Sequence, residues 1–261
     1  MNRRSLSFTL AFSFAGGLLV LFVVLPLAST LLSTTPADFL YSLGDSELLH
    51  SIGLTFGAAL IATLLAMATG GPLAYLLARR KFRGKHLLEA VVNLPVVVPH
   101  TAAGMALLLV FGGRGLLGQE LSSLGVTFTD NLGGIVLAML FVSLPFLVNL
   151  SREAFAQTDE ELERIALTDG ATPWQAFWRV TLPQAWRGVL GGAVMMWGRG
   201  ISEFGAVVIL AYNPKIVSVL LYERYEEFGL RAAEPVALLL ILVALAVFIL
   251  LRLALLPENE P

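Results

Sequence analysis

The chain has 261 residues, of which 57% are hydrophobic and 14% charged, against roughly 45–50% and about 25% in an average soluble domain, and its mean hydropathy is +0.80. Lys and Arg total 17 and Asp and Glu 19, a formal net charge of -2, so no basic excess points to nucleic acid. With no cysteine, a disulfide framework, a thiolate metal site and a cysteine nucleophile are excluded.

Crossing about 30 Å of hydrocarbon takes roughly 17–25 residues, and six apolar runs are that long: 8–32, 52–78, 87–111, 133–150, 188–212 and 235–251. The first follows Asn2-Arg3-Arg4-Ser5, which also fits a secretory or twin-arginine signal. Its apolar run exceeds the 7–15 residues of a signal core, so it reads as a transmembrane helix. After the second comes a basic connection with Arg79, Arg80, Lys81, Arg83 and Lys85. The third carries Asn93, Pro95, Pro99, His100, Thr101 and Gly104. Two prolines four apart cannot sustain an unbroken ladder, and a broken helix at membrane depth is tolerated only inside protein or along a water-filled path. Pro95, Pro99, His100 and Thr101 are therefore candidate pathway residues.

The fourth run is followed by the longest polar stretch, 151–187, with Arg152, Arg164, Arg179 and Arg187. The fifth is rich in glycine, small enough for close helix contact; Gly188-x-x-x-Gly192 there and Gly53-x-x-x-Gly57 in the second read first as packing motifs. It also holds Arg199 and Glu203, four apart on one helical face. Each buried unpaired would cost roughly 2.5–3.5 kcal/mol, so the two are expected to pair. Glu203 thereby turns away from the path, leaving Ser202, Thr101 and backbone amides near Pro95 and Pro99 as neutral donors to line it. Beyond the sixth run lie Arg252 and a tail ending Pro257-Glu-Asn-Glu-Pro261. The two termini, the second-to-third connection and the fourth-to-fifth hold 12 of the 17 basic residues, so the positive-inside rule places all four in the cytoplasm.

Resident chemistry is unsupported. The Gly84-Lys85 pair is followed by His86 and lacks the upstream glycine of a P-loop. Gly113-Arg-Gly-Leu-Leu-Gly118 matches the dinucleotide pattern in letters only, since it follows a helix and no strand. His50, His86 and His100 lie in separate regions, which offers no metal site. No aspartate occurs in any span, and no catalytic constellation forms, so an enzyme is not expected.

The cytoplasmic stretch 158–187 reads as two short helices. Thr158 is expected to cap the first, with Asp159, Glu160 and Glu161 at its positive end and Glu161 completing a capping box; Gly170 should end it. Pro173 suits the first turn of the second, where Trp174, Phe177 and Trp178 repeat at the spacing of one apolar face. Such a face docks on a partner protein or lies in the lipid interface, where Trp is at home.

Ala166, Gly170-Ala171 and Val180-x-Leu182-Pro183, with nine residues between Gly170 and Val180, resemble the EAA loop of ATP-binding-cassette importer permeases. The resemblance implies that this loop docks on an ATPase subunit, with Ala166, Gly170, Ala171, Pro173, Trp174, Phe177, Leu182 and Pro183 as the coupling residues. One departure stands out: Arg164 occupies the position six before the glycine that is normally acidic, Ile165 replaces an alanine, and Glu163 is one residue out of register. Gly198-Arg-Gly-Ile-Ser-Glu-Phe-Gly205 and the stretch from Leu94 to Gly115 are similar to the sulfate and molybdate branch, while Ala211-Tyr-Asn-Pro-Lys215 and Leu221-Tyr-Glu-Arg-Tyr225 look most like molybdate/tungstate permeases.

What the resemblance implies is a single-domain, all-α integral membrane protein of the type I importer kind in the cell membrane, six-spanning and surrounded by lipid. It implies a homodimer of this subunit, two copies of an ATPase holding ATP and Mg, and an extracytoplasmic oxyanion-binding protein, with no cofactor on this chain. Sulfate or thiosulfate is the alternative cargo. An ATP-independent carrier or channel would have no reason to keep the docking loop. The outer loops carry more acid than base, with Asp38, Asp45, Glu47, Glu120, Asp130, Glu223, Glu226, Glu227 and Glu234 against Arg114, Lys215, Arg224 and Arg231. They would repel a divalent anion, a conflict removed if a separate binding protein selects it.

Overall fold

A computed structural model describes residues 3–255; the expected polar tail 257–261 lies outside the described residues. The elements in order are α1 (Arg3–Ser33), α2 (Pro36–Leu43), α3 (Ser46–Arg79), α4 (Lys85–Val97), α5 (His100–Phe111), α6 (Gly118–Ser123), α7 (Leu132–Ala156), α8 (Glu160–Thr168), α9 (Pro173–Ala176), a π-helical turn (Phe177–Thr181), α10 (Leu182–Ile201), α11 (Gly205–Leu210), α12 (Val217–Phe228) and α13 (Leu230–Leu255). No strand occurs among the described residues.

Four helices are long and apolar enough to cross a membrane, Phe8–Ser33, Ser46–Arg79, Leu132–Ala156 and Leu230–Ile249, and the bent pair α4 and α5 makes a fifth when taken as one span. The third run is thus broken, as its prolines require, with 114° between its halves. The fifth differs from expectation. Its helix α10 begins six residues early at Leu182, stops at Ile201, and resumes as α11 only at Gly205. With Gln184, Arg187 and Arg199 in it, α10 is not apolar enough to count among the candidate spans. Helix α3 begins six residues before its apolar stretch, where Asp45 caps it with a side-chain acceptor and satisfies amides that would otherwise be orphaned; α7, capped by Asn131, runs six residues beyond its own stretch at the C-terminal end.

The core is built on α7, against which α3 and α10 pack along their lengths. Small residues of α3, Ala58, Ala59, Ala62 and Ala66, meet Ile135, Ala138, Met139 and Val142 of α7 and Ala193 and Met196 of α10. Of the two glycine motifs, Gly188-x-x-x-Gly192 is a packing motif: a Cβ at Gly188 would collide with Ala154, and one at Gly192 would lie 3.2 Å from Leu147 O. Among the described residues nothing lies within 4 Å of a Cβ placed at Gly53 or Gly57. From Phe8 onward α1 is exposed almost throughout and lies against α13. The region after α11, read from sequence as loop, holds α12, tied to α3 by the Val217 amide donating to Thr55 Oγ1 at 2.9 Å.

Candidate functional site

The breaks in the third and fifth runs meet. Half-helices α5 and α11 pack closely because Gly104 and Gly205 lie between them: a Cβ at Gly104 would stand 2.8 Å from Ala206 O, and one at Gly205 would stand 2.8 Å from His100 Cβ. His100 opens α5, and Glu203 lies in the break before α11. The Glu203 carboxylate is fully buried. Its Oε2 is 2.9 Å from Arg199 Nη2 and 3.0 Å from His100 Nδ1, and its Oε1 accepts the Ala206 amide at 2.9 Å, capping α11 in the manner of an acidic N-terminal partner. The Ser218 hydroxyl donates to the Glu203 carbonyl at 2.7 Å.

Arg199 Nη2 also lies 2.8 Å from His100 Nε2, and its Nη1 donates to Ser202 Oγ at 3.2 Å. Arg199 Nη2 is thus within 2.9 Å of both ring nitrogens of His100, and the nitrogen without a proton accepts its hydrogen bond. The expected Arg199–Glu203 pair therefore forms, although the helix ends between its members. His100, a pathway candidate from sequence with Pro95, Pro99 and Thr101, is the third member of this cluster. Its separation from Arg199 is 99 residues, which no local pattern reports. Ser202 and Thr101 are exposed beside the cluster, Pro99 caps α5, and Pro95 is buried inside α4. Below, α4 is tied to α7 by Arg152 donating to Glu89 at 2.8 Å and by Asn149 donating to Asn93.

The cytoplasmic loop is ordered by its own caps. Asp159, not Thr158, caps α8, accepting the Glu161 amide at 2.8 Å; the Thr158 hydroxyl instead donates to Phe155 O at 2.9 Å, so the expected Thr158–Glu161 capping box does not form. The helix ends at Thr168, and Gly170 follows with φ +92°, a left-handed conformation that glycine adopts freely. The Ala171 amide closes the turn on Ala166 O at 3.0 Å. Thr172 and Gln175 form a reciprocal capping box for α9 with Pro173 in its first turn. The second short helix does not end within the loop: a π-helical turn carries it into α10, with Leu182 half-buried and Pro183 exposed in the first turn of α10.

The three aromatics here stay in ring contact with one another but differ in exposure. Trp174 is 70% exposed and Trp178 51%, whereas Phe177 turns inward, its ring centroid 5.0 Å from Tyr75 and 6.0 Å from the buried Phe155. The half-buried Glu163 is a residue the sequence left without a role. It accepts hydrogen bonds from Tyr75 of α3 and, at 2.8 Å, from Thr181 of the π turn.

On the outer side, Arg224 of α12 is 2.6 Å from Asp45 and 3.4 Å from Glu47, and Lys215 Nζ donates to Glu223 at 2.7 Å. Burial acts to raise the Asp45 carboxyl, but the amides of Leu48 and Glu47 and the Arg224 guanidinium together outweigh it and hold the group below its ordinary value. Hydrogen bonding to Glu223 pushes the Lys215 ammonium upward, against a smaller opposing effect of burial. Two of the four outer bases are thus already neutralised.

Residues 70–256 match the family described as binding-protein-dependent transport system inner membrane component. The chain belongs to that family. It is 41% identical to the molybdate/tungstate transport system permease protein of Pyrococcus furiosus over 97% of this chain and 96% of that one, and 37% identical to the corresponding protein of Methanocaldococcus jannaschii over 90% and 92%. A sulfate transport system permease protein of Synechocystis is 31% identical over 90% and 85%. A chain of a bacterial transporter that imports alginate has the same fold, with a TM-score of 0.77 at 16% identity over 98% of both chains. This is a multi-pass membrane permease of the importer class.

Proposed function

We propose that this chain is the permease subunit of an ATP-binding-cassette importer and forms the path by which molybdate or tungstate enters the cell. The observation that carries the cargo assignment is the 41% identity, end to end, with a molybdate/tungstate permease. Two copies form the pathway, each with six spans and cytoplasmic termini, counting α10 with α11 as the fifth. Two ATPase subunits hold ATP and Mg, and an extracytoplasmic binding protein delivers the anion.

The path is lined by neutral donors, among them Thr101 and Ser202, which bind an anion weakly enough to let it leave. Arg199 and Glu203 fix the shape of the two breaks. Trp174 and Trp178 face the ATPase, and Gly170 sets the angle at which they are presented. The test is uptake of labelled molybdate by liposomes holding the permease with its ATPase and binding protein. Uptake should need ATP and be competed by tungstate far better than by sulfate, and the permease alone should neither hydrolyse ATP nor take up the anion. Saturable uptake by the permease alone would establish a secondary carrier instead, and equal competition by sulfate would move the cargo to the sulfate class.

A further inference from the structure

Helix α8 has nine residues and none of them is buried, so neither helix propensity nor an apolar face holds it in place. What ties it to the spans is chiefly one carboxylate, with Arg79 as a second tie through Glu160. The Glu163 carboxylate, 16% exposed, accepts from the Tyr75 hydroxyl through Oε1 and from the Thr181 hydroxyl through Oε2 at 2.8 Å. The same Oε2 lies 3.4 Å from Arg79 Nε, whose side chain is 8% exposed.

Tyr75 and Arg79 are four apart and share one face of α3. Arg79 extends the contact, with Nη1 at 3.2 Å from Glu160 and Nη2 bonded to the carbonyl and hydroxyl of Thr158. A single carboxylate therefore joins three elements: the cytoplasmic end of α3, helix α8, and the π turn that runs into α10. Beneath it Tyr75, Phe155 and Phe177 pack ring to ring.

The departure from the family pattern has its physical account here. A shift of one residue turns a side chain about 100° around a helix. Arg164, in the usual acidic register, is exposed, while Glu163 is turned toward α3. We infer that Glu163 is a positioning residue of the transport cycle. It binds the loop to α3 and α10 so that a displacement of the docked α9 moves both helices as one body. Both pack on α7, and α10 ends at the Arg199–Glu203 break, so the displacement reaches the junction of the broken helices. This inference rests on the reading above that α9 docks on an ATPase.

The experiment uses the complete importer, permease with ATPase and binding protein, in liposomes, and measures molybdate taken up per ATP hydrolysed together with the ATPase retained on purification. In Glu163→Ala the ATPase stays bound and hydrolyses ATP, while uptake per ATP falls about tenfold or more. Glu163→Gln, which keeps an acceptor but loses the charge facing Arg79, falls between. Unchanged uptake per ATP in Glu163→Ala overturns the inference. So does loss of the ATPase in that variant to the degree seen in Trp174→Ala, since Glu163 would then belong to the docking face.

Should Glu163→Ala fail to accumulate, Tyr75→Phe and Thr181→Val remove one hydrogen bond each with little change of shape, and the same ratio decides: a fall supports the inference and wild-type coupling overturns it. A wild-type permease that retains no ATPase defeats the parent reading and this inference together. Unchanged coupling in the variants defeats this one alone.

Discussion

The junction of the broken helices and the cytoplasmic loop are both interruptions of helix, yet they treat their exceptional side chains in opposite ways. At the junction, the charges of Arg199 and Glu203 are spent on each other, on His100, on Ser202 and on the first turn of α11. In the loop, the caps are satisfied locally and two tryptophans are left facing outward. Where the backbone is interrupted inside the bundle, the fully buried Glu203 carboxylate must find its partners within the protein. At the surface the same irregularity can present an uncovered face to a partner.

The largest effect is expected of Glu203→Gln. It leaves the partly buried Arg199 without its charge partner, a loss of up to about 3 kcal/mol, so the variant should melt earlier or fail to assemble while any protein recovered keeps its anion preference. Normal thermal stability with altered selectivity would place Glu203 in the pathway and make the junction a binding surface like the loop. Next is Phe177→Ala, which removes an inward ring packed on Tyr75 and Phe155 and should cost about 2 kcal/mol. Trp174→Ala and Trp178→Ala should leave the melting temperature unchanged and weaken retention of the ATPase. Equal melting temperatures for all three variants would show that the inward and outward aromatics are not different in kind.

Gly170→Val forces a β-branched residue to φ +92°, at roughly 1–2 kcal/mol, and re-aims α9. ATPase co-purification should fall while the spans stay inserted, as protease protection would report; unchanged co-purification and uptake would remove Gly170 from the coupling device.

The smallest effect belongs to the outer ion cluster. Asp45 has a lowered folded-state pKa, so its contribution is present above the unfolded value and is lost as pH falls through the folded one. Melting temperature should therefore drop on acidification below the ordinary carboxylate range, near 3.8, and Asp45→Asn should flatten that limb; an acid limb as steep in the variant would exclude Asp45 as its origin.

Much of the architecture was legible because it follows from composition and local chemistry. Apolar runs of spanning length announce membrane helices, Pro95 and Pro99 announce a break, and Gly170, Pro173 and the Val180-x-Leu182-Pro183 pattern announce the loop. Helix ends were less legible. Thr158 and Asp159 are both good caps, and the choice fell to Asp159 because the Thr158 hydroxyl is held by Phe155 O and Arg79. Likewise Trp174, Phe177 and Trp178 share a helical period, but only contact with Tyr75, 102 residues before Phe177 in the chain, turns Phe177 inward.

The all-helical class, the apolar runs, the broken third run and the two-helix cytoplasmic loop follow from the sequence alone, since each depends on residues within a few turns of one another. Only the tertiary structure decided that the fifth run is broken as well, that His100 joins Arg199 and Glu203, and that Glu163 ties the loop to α3. Those outcomes depend on which distant side chain arrives to satisfy a buried charge, and a carboxylate out of water takes its partners from the fold rather than from its neighbours in sequence.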